Sequence, residues 1–157
     1  MSIEAARDYF EVTVKPTVQE FLSNTSDVRR GRLAAIVLYH IWDYLKLSSD
    51  PTRPESILTA TNEKLMVETI KAAANASKHF QLTKYNPIAS SAAQVMAERS
   101  EGLFCAPFGE GVFAESNDVH LILDEAKQTE YECVAVRLAT ATKFMQEYWE
   151  QRLGYLP

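Results

Sequence analysis

The side chains of this 157-residue chain that could do chemistry are two histidines and the carboxylates spaced to meet them. His40 and Asp43 are three residues apart, a spacing that places both on one face of a helix. His79 and Glu68 share a face of a second predicted helix. Imidazoles and carboxylates that converge on one point can bind zinc or non-haem iron, or can transfer a proton. Because spacing alone does not show convergence, His40, Asp43 and His79 are metal candidates, but we predict no bound metal and no other cofactor.

These side chains lie on two segments whose apolar residues repeat at helical spacing, residues 28–47 and residues 62–80. The first segment is apolar nearly all round, which predicts a buried central helix whose polar line must find partners. Antiparallel packing of the two helices would place His40 at the level of Glu68. We therefore predict a polar seam between the helices as the candidate ligand-binding site, formed by Arg29, Arg32, His40, Asp43, Glu68, Asn75, Lys78 and His79.

Two other interpretations of these residues stay open. A buried His40 and Asp43 pair would satisfy both groups within a structural polar network and would need no ligand. Arg29 and Arg32 lie in the first turns of the helix at 28–47, where free backbone amides and the helix dipole attract anions. A small anionic ligand is therefore a candidate partner, with pairing of these arginines to acidic side chains of the chain as the alternative.

The spacing of apolar residues along the rest of the chain predicts a mainly α fold in one domain, residues 1–157, with about four helices in a bundle. A small antiparallel β-meander is expected as an insert at about residues 92–124, before the last helix. Pro16 is expected to kink or break the first helix, because it removes a backbone donor. Residues 129–132 match a capping box, which predicts that the last helix begins there.

Composition limits the partners and the location that we expect. A net charge of -5 gives no general attraction to nucleic acid or to anionic membranes. The chain shows no secretory signal pattern and no run of about 18 apolar residues, so we expect a cytoplasmic protein without a membrane partner. Tyr148, Trp149 and Tyr155, which we expect to be exposed on and after the last helix, favour a homodimer, with packing inside one chain as the alternative.

Short motifs in the chain resemble a group of small uncharacterised bacterial proteins. They are a His-x-x-Asp helix at His40 and Asp43, an Asn-x-x-Lys-His helix from Asn75 to His79, and a Phe-Gly-x-Gly-x-Phe turn at residues 108–113. These motifs carry no known activity. The resemblance therefore implies a bacterial protein of unknown function.

The helical plan is similar, more distantly, to HEPN domains, which are helical bundles found in toxin and phage-defence ribonucleases. Members that cleave RNA carry Arg-x(4–6)-His on a late helix. Here seven residues separate Arg32 from His40, and the last helix has Arg137 but no histidine. We therefore predict a non-enzymatic binding or interaction module that uses the polar seam. The alternative is an HEPN-like ribonuclease or a metal-assisted hydrolase that uses His40 and His79.

Overall fold

The structure, a computed structural model, describes residues 3–46, 48, 50–79, 87–99 and 117–157. Its helices are α1 (Ile3–Tyr9), which continues through a π-helical turn (Phe10–Val14) into α2 (Lys15–Leu22), and then α3 (Val28–Leu45), α4 (Pro54–Ile57), α5 (Thr61–Lys78), α6 (Glu125–Tyr131) and α7 (Leu138–Arg152). Three antiparallel strands, in the order β1 (Val95–Arg99), β2 (Asn117–Ile122) and β3 (Ala135–Arg137), form one sheet. The predicted mainly helical class, with a small antiparallel sheet before the last helix, is confirmed.

The first helix accommodates Pro16 by widening the turn before it. The backbone N–H of Lys15 donates to the carbonyl of Phe10, five residues back, and Pro16 then falls in the first turn of α2. A proline is tolerated there because the N–H that it lacks would have no helical partner. The chain therefore stays helical from α1 through α2, and Phe10 and Val14 in the wide turn are both buried.

The central helix α3 begins at an aspartate cap and is buried along one face. The carboxylate of Asp27 accepts a hydrogen bond of 3.0 Å from the backbone N–H of Arg30. Arg29 and Leu33 are exposed, so the expectation that this helix is buried all round is wrong. The buried residues recur at steps of three and four, as in an ordinary amphipathic helix: Gly31, Ala34, Ala35, Leu38, Ile41 and Leu45.

Small residues allow α3 to pack closely against its neighbours α2, α5 and α7. A Cβ atom built on Gly31 would lie 3.0 Å from Cδ2 of Leu138 and 3.1 Å from Cε2 of Phe21. Ala34 and Ala35 follow one turn later and are fully buried. The facing helix α5 is also rich in buried alanine, at Ala72, Ala73, Ala74 and Ala76.

The last helix begins at Leu138, so its predicted start at residue 129 is wrong. The capping-box residues instead end α6, where Glu132 takes a left-handed conformation with φ of 53°. Residues 135–137 then pair with β2 as a third strand, with Arg137 opposite His120. A local pattern could not show this strand, because its partner is remote in sequence.

Two other predictions concern the sheet and the last helix. The sheet reaches residue 137, beyond the predicted insert at about 92–124. The middle of the expected meander and the turn at 108–113 lie outside the described residues. Trp149 is 1% exposed and Tyr148 is half-buried, so the expected exposure of these two aromatic residues is wrong, whereas Tyr155 is exposed.

The sheet is attached to the start of α3 by a buried carboxylate. Asp118 in β2 accepts a hydrogen bond of 2.5 Å from Oγ1 of Thr25 and lies 2.6 Å from Nη2 of Arg137. The backbone N–H of Val119 donates to the carbonyl of Thr25 at 2.8 Å. These contacts fix the loop before α3, and with it the start of the central helix.

Replacing Gly31 with valine tests the close packing of α3. The added side chain would press on Leu138 and Phe21, so we expect Gly31→Val to lower the free energy of unfolding by about 1–3 kcal/mol. Arg29→Val, on the exposed face of the same helix, is the control and should change it by about 0.5 kcal/mol or less. Urea denaturation of both variants measures the difference, and equal effects would contradict close packing at Gly31.

Candidate functional site

His40 and Asp43 form a partly exposed cluster that links α3 to α5. Nδ1 of His40 lies 2.7 Å from Oδ2 of Asp43, and Lys46 donates to the other carboxylate oxygen at 3.1 Å. Nζ of Lys78 contacts Nε2 of His40. The side chains of His40 and Asp43 are 36% and 42% exposed, so the pair lies at the surface. The two ring nitrogens of His40 therefore contact Asp43 on its own helix and Lys78 on α5.

The partner of His40 on α5 differs from the predicted one, although Leu38 and Trp42 of α3 line one pocket with Ile70 and Val67 of α5, close to the predicted register. His40 was expected at the level of Glu68, but the residue that it contacts on α5 is Lys78. The connection between the helices carries α4, which begins at Pro54. A connection of this kind leaves the register undetermined by sequence, because its length does not set where the second helix begins to pack.

The other seam residues lie elsewhere. Nη2 of Arg32 donates to the carbonyl of Ala92 at 2.7 Å, so this guanidinium holds the segment that leads into β1. Arg29 and His79 are exposed, and Asn75 is half-buried on α5. No contact within the described ranges joins His79 to His40.

Glu68 belongs to a second charged cluster. Nζ of Lys71 lies 3.1 Å from Oε1 of Glu55 and 3.8 Å from Oε1 of Glu68. Burial raises the pKa of Glu68, with a further increase from the charge of Glu55 and opposition from Lys71. Burial would lower the pKa of Lys71, but the two carboxylates outweigh it and raise that pKa. The ammonium group of Lys71 therefore stays charged between its two acidic neighbours.

Neither cluster forms a metal site within the residues that the structure describes. A metal ion would need at least three histidine, cysteine or carboxylate ligands around one point, and no such group occurs in that part of the chain. His40 and Asp43 are together, whereas His79 lies at the end of α5. The three metal candidates therefore do not form one ligand set in this geometry.

A pocket that the sequence did not reveal lies where α3, α4, α5 and α7 meet. Its cavity volume is about 10 Å³, room for about one water molecule, and the surrounding empty space of about 330 Å³ includes open solvent. The chain has two tryptophans, and both line this pocket. We call it the tryptophan pocket, and its principal apolar lining residues are Leu38, Trp42, Val67, Ile70, Met145 and Trp149.

Charged groups of both signs surround the tryptophan pocket. The guanidinium of Arg53 lies 4.2 Å from the ring centroid of Trp42, and that of Arg152 lies 5.5 Å from the ring centroid of Trp149. These distances are typical of cation–π contacts. Glu55 also lines the pocket, and Lys71 neutralises its carboxylate.

Arg152 also fixes the segment at residues 50–53 beside the pocket. Its Nη2 donates to the carbonyls of Thr52 at 2.6 Å and Asp50 at 3.1 Å, and it lies 3.2 Å from the Asp50 carboxylate. Nε1 of Trp42 donates to the carbonyl of Pro51 at 3.2 Å. This segment carries Arg53 onto Trp42, so contacts from α3 and α7 determine the shape of the pocket mouth.

The two indole groups differ in one respect. Nε1 of Trp42 has the Pro51 carbonyl as its acceptor. Nε1 of Trp149 is buried and has no acceptor within the part of the chain that the structure describes.

Sequence reasoning missed the tryptophan pocket because its lining residues match core positions of a helix. Leu38 and Trp42, like Met145 and Trp149, are spaced four residues apart. The signal that could have revealed the pocket was the pair of tryptophans, because each carries an indole N–H on an otherwise apolar helix face.

No protein-family model, curated protein or solved structure matches this chain significantly. Fold and site together define a mainly helical protein with a small antiparallel sheet and an apolar pocket between helices. Within the described ranges, no helix combines the length and the apolar character needed to cross a membrane.

The His40 cluster predicts a specific dependence of stability on pH. Burial would raise the pKa of Asp43, but hydrogen bonds from Lys46 and His40 outweigh it and lower that pKa below the ordinary value of 3.8. The stabilisation is therefore present above that value and is lost as the pH falls through the lowered pKa. We expect Asp43→Asn to be less stable than the wild type near pH 7, with the difference decreasing in acid.

Urea denaturation of both proteins at several pH values measures this difference. Asp8→Asn, at an exposed position of α1, is the control for changing a surface carboxylate. A stability difference for Asp43→Asn that grows as the solution becomes more acidic would contradict the expected sign.

Proposed function

We propose that this protein is a non-enzymatic binding module whose tryptophan pocket, water-sized in this structure, widens to hold a small molecule. The observation that carries the proposal is the position of both tryptophans at a concave junction of three long helices. Ligand sites in helical proteins are commonly apolar clefts between helices with a few polar groups. In this proposal the helical segment α1–α2 and the helices α3, α5 and α7 are the four members of the expected bundle.

The charged residues support a binding role over a chemical one. Both ring nitrogens of His40 have partners, and Arg32 is bound to the backbone before β1. A general base needs a free acceptor within reach of the proton that it removes. We therefore assign these groups to the positioning of helices and sheet, and we place the ligand in the tryptophan pocket.

The lining of the pocket suits a small and mostly apolar ligand. Val67 and Ile70 come from α5, Leu38 from α3 and Met145 from α7, so a bound molecule would contact three helices at once. Transfer of apolar surface from water to such a site is favourable in proportion to its area. Met145 adds a flexible wall that can adapt to the shape of the ligand.

NMR of the two indole N–H groups tests the proposal directly. A chain labelled with ¹⁵N at tryptophan gives two indole signals, which Trp42→Phe assigns. We expect at least one member of a set of uncharged, fragment-sized molecules at millimolar concentration to shift both signals, because both rings line the pocket.

Two phenylalanine variants provide the specificity control for this screen. Val67→Phe fills the pocket and should abolish the shifts, whereas Val12→Phe, at a position that is 68% exposed, should leave them unchanged. Failure of every fragment to shift either indole signal would contradict the proposal. Equal binding by wild type and Val67→Phe would also contradict it.

The ribonuclease alternative is favoured by one observation, the 2.7 Å contact that orients His40 against the carboxylate of Asp43. A carboxylate that orients an imidazole is a common arrangement in acid–base catalysis. We expect no cleavage of a mixed single-stranded RNA by the wild type, His40→Ala or His79→Ala above the level of buffer. Cleavage that His40→Ala abolishes would replace the binding module with an enzyme, and His79→Ala would show whether the second histidine takes part.

A further inference from the structure

The walls of the tryptophan pocket are held in place by two different kinds of contact. Its cavity of about 10 Å³ has room for about one water molecule, so one wall must move before a larger molecule can enter. Three walls are the long helices α3, α5 and α7, which pack on one another through almost completely buried residues such as Leu38, Ile70 and Trp149. A shift of one of these helices would separate closely packed side chains, which is costly.

The fourth wall is part of the connection between α3 and α5, residues 50–58, which we call the strap. Only Pro54 and Leu58 of the strap are buried. Its helix α4 has four residues, too few to be stable without other contacts. Arg53, Pro54 and Glu55 form its side of the pocket. Because the strap buries little apolar surface, its position depends on polar contacts.

The guanidinium of Arg152, in the last turn of α7, makes several of these polar contacts. Its Nη2 donates to the carbonyls of Asp50 at 3.1 Å and Thr52 at 2.6 Å, and lies 3.2 Å from the Asp50 carboxylate. Its Nη1 donates to the hydroxyl of Tyr148 at 2.9 Å, which orients the group from within α7. The Arg152 side chain is 11% exposed, whereas that of Asp50 is 62% exposed. Arg152 therefore belongs to the fixed part of the molecule, and the groups that it binds belong to the strap.

Two further contacts hold the strap. Nε1 of Trp42 donates to the carbonyl of Pro51, which lies between the two carbonyls that Arg152 binds. Nζ of Lys71 lies 3.1 Å from Oε1 of Glu55. Because Trp42 and Arg152 bind consecutive carbonyls of the strap, a movement that releases one of them also releases the other.

We propose that the strap is a movable lid over the tryptophan pocket, that Arg152 keeps it closed, and that its release widens the cavity. This inference rests on the proposed function, because the lid controls entry to the same site. Release takes Arg53, Pro54 and Glu55 out of the pocket lining and leaves the packing of α3, α5 and α7 unchanged. Lids over ligand sites commonly open and close in this way.

Hydrogen exchange of the Trp42 indole N–H measures the opening of the strap without a ligand. Since this group is bonded to Pro51 only while the strap is closed, its exchange rate reports the open fraction. We expect Arg152→Leu to increase that rate about tenfold, as loss of a charge-assisted hydrogen bond predicts. Lys46→Leu is the matched control, because it removes a cation 5.9 Å from the same indole ring that bonds to Asp43 on α3. It should change the rate less than about twofold.

The backbone amide of Ala73 separates opening of the strap from unfolding of the whole chain. Ala73 is fully buried within α5, so its exchange requires a much larger opening. In Arg152→Leu its rate should increase far less than that of the Trp42 indole. Equal acceleration of the two groups, or no acceleration of the Trp42 indole, overturns the inference.

Asp50→Asn covers the case in which Arg152→Leu does not fold. The substitution lies at an exposed position, keeps the shape of the side chain and removes the charge that faces Arg152. We expect the Trp42 indole to exchange about twofold faster in this variant, as loss of an exposed ion pair predicts. Asp8→Asn, on α1, should leave the rate unchanged. In that case, equal rates in the two variants overturn the inference.

Fragment binding separates failure of the lid from failure of the proposed function. If the closed strap excludes the ligand, a larger open fraction strengthens apparent binding in proportion. A fragment that binds the wild type should therefore bind Arg152→Leu about tenfold more tightly. Unchanged or weaker binding, together with faster exchange of the Trp42 indole, overturns the lid and leaves the proposed function standing. Failure of every fragment to bind the wild type contradicts the proposed function, whereas the exchange rates still support or overturn the movement of the strap.

Discussion

The close approach of α3 to its neighbours is the constraint on which the rest of this structure depends. A Cβ atom at Gly31 would lie within 3.1 Å of Leu138 and Phe21, so a side chain there would force these neighbours to shift, and Ala34 and Ala35 continue the small face of the helix. Where this small face ends, Leu38 and Trp42 project from the following turns and line the tryptophan pocket. One helix therefore provides both a tight contact and a concave site, because its side chains change from small to large along one face.

The polar groups of the molecule fall into two kinds. His40, Asp43 and Lys78 satisfy one another at the surface, and Arg32 holds the backbone that leads into β1. Groups that the chain satisfies contribute to the position of helices and sheet. Other buried polar atoms have no hydrogen-bond partner in the described part of the chain, among them Nε1 of Trp149 and Nε of Arg32.

Sequence reasoning succeeded where local spacing decides the outcome. The spacing of His40 and Asp43 correctly placed them on one helical face. The small sheet before the last helix was also correctly predicted as a class of structure. These features follow from propensity, capping and periodicity within a few turns of chain.

The failures were all matters of tertiary structure. The third strand at residues 135–137 exists because it pairs with β2, and a capping-box pattern just before it suggested a helix. The contact of His40 with Lys78 depends on how a connection containing α4 positions α5. Trp149 was expected at the surface, but α3 and α5 pack against α7 and bury it. None of these outcomes is encoded in the spacing of residues along a single element.

A crystal structure of the chain with the tightest-binding fragment of the screen tests the central claim most directly. The account predicts the fragment between α3, α5 and α7, in contact with Trp42 and Trp149. A fragment bound elsewhere on the molecule would contradict the claim.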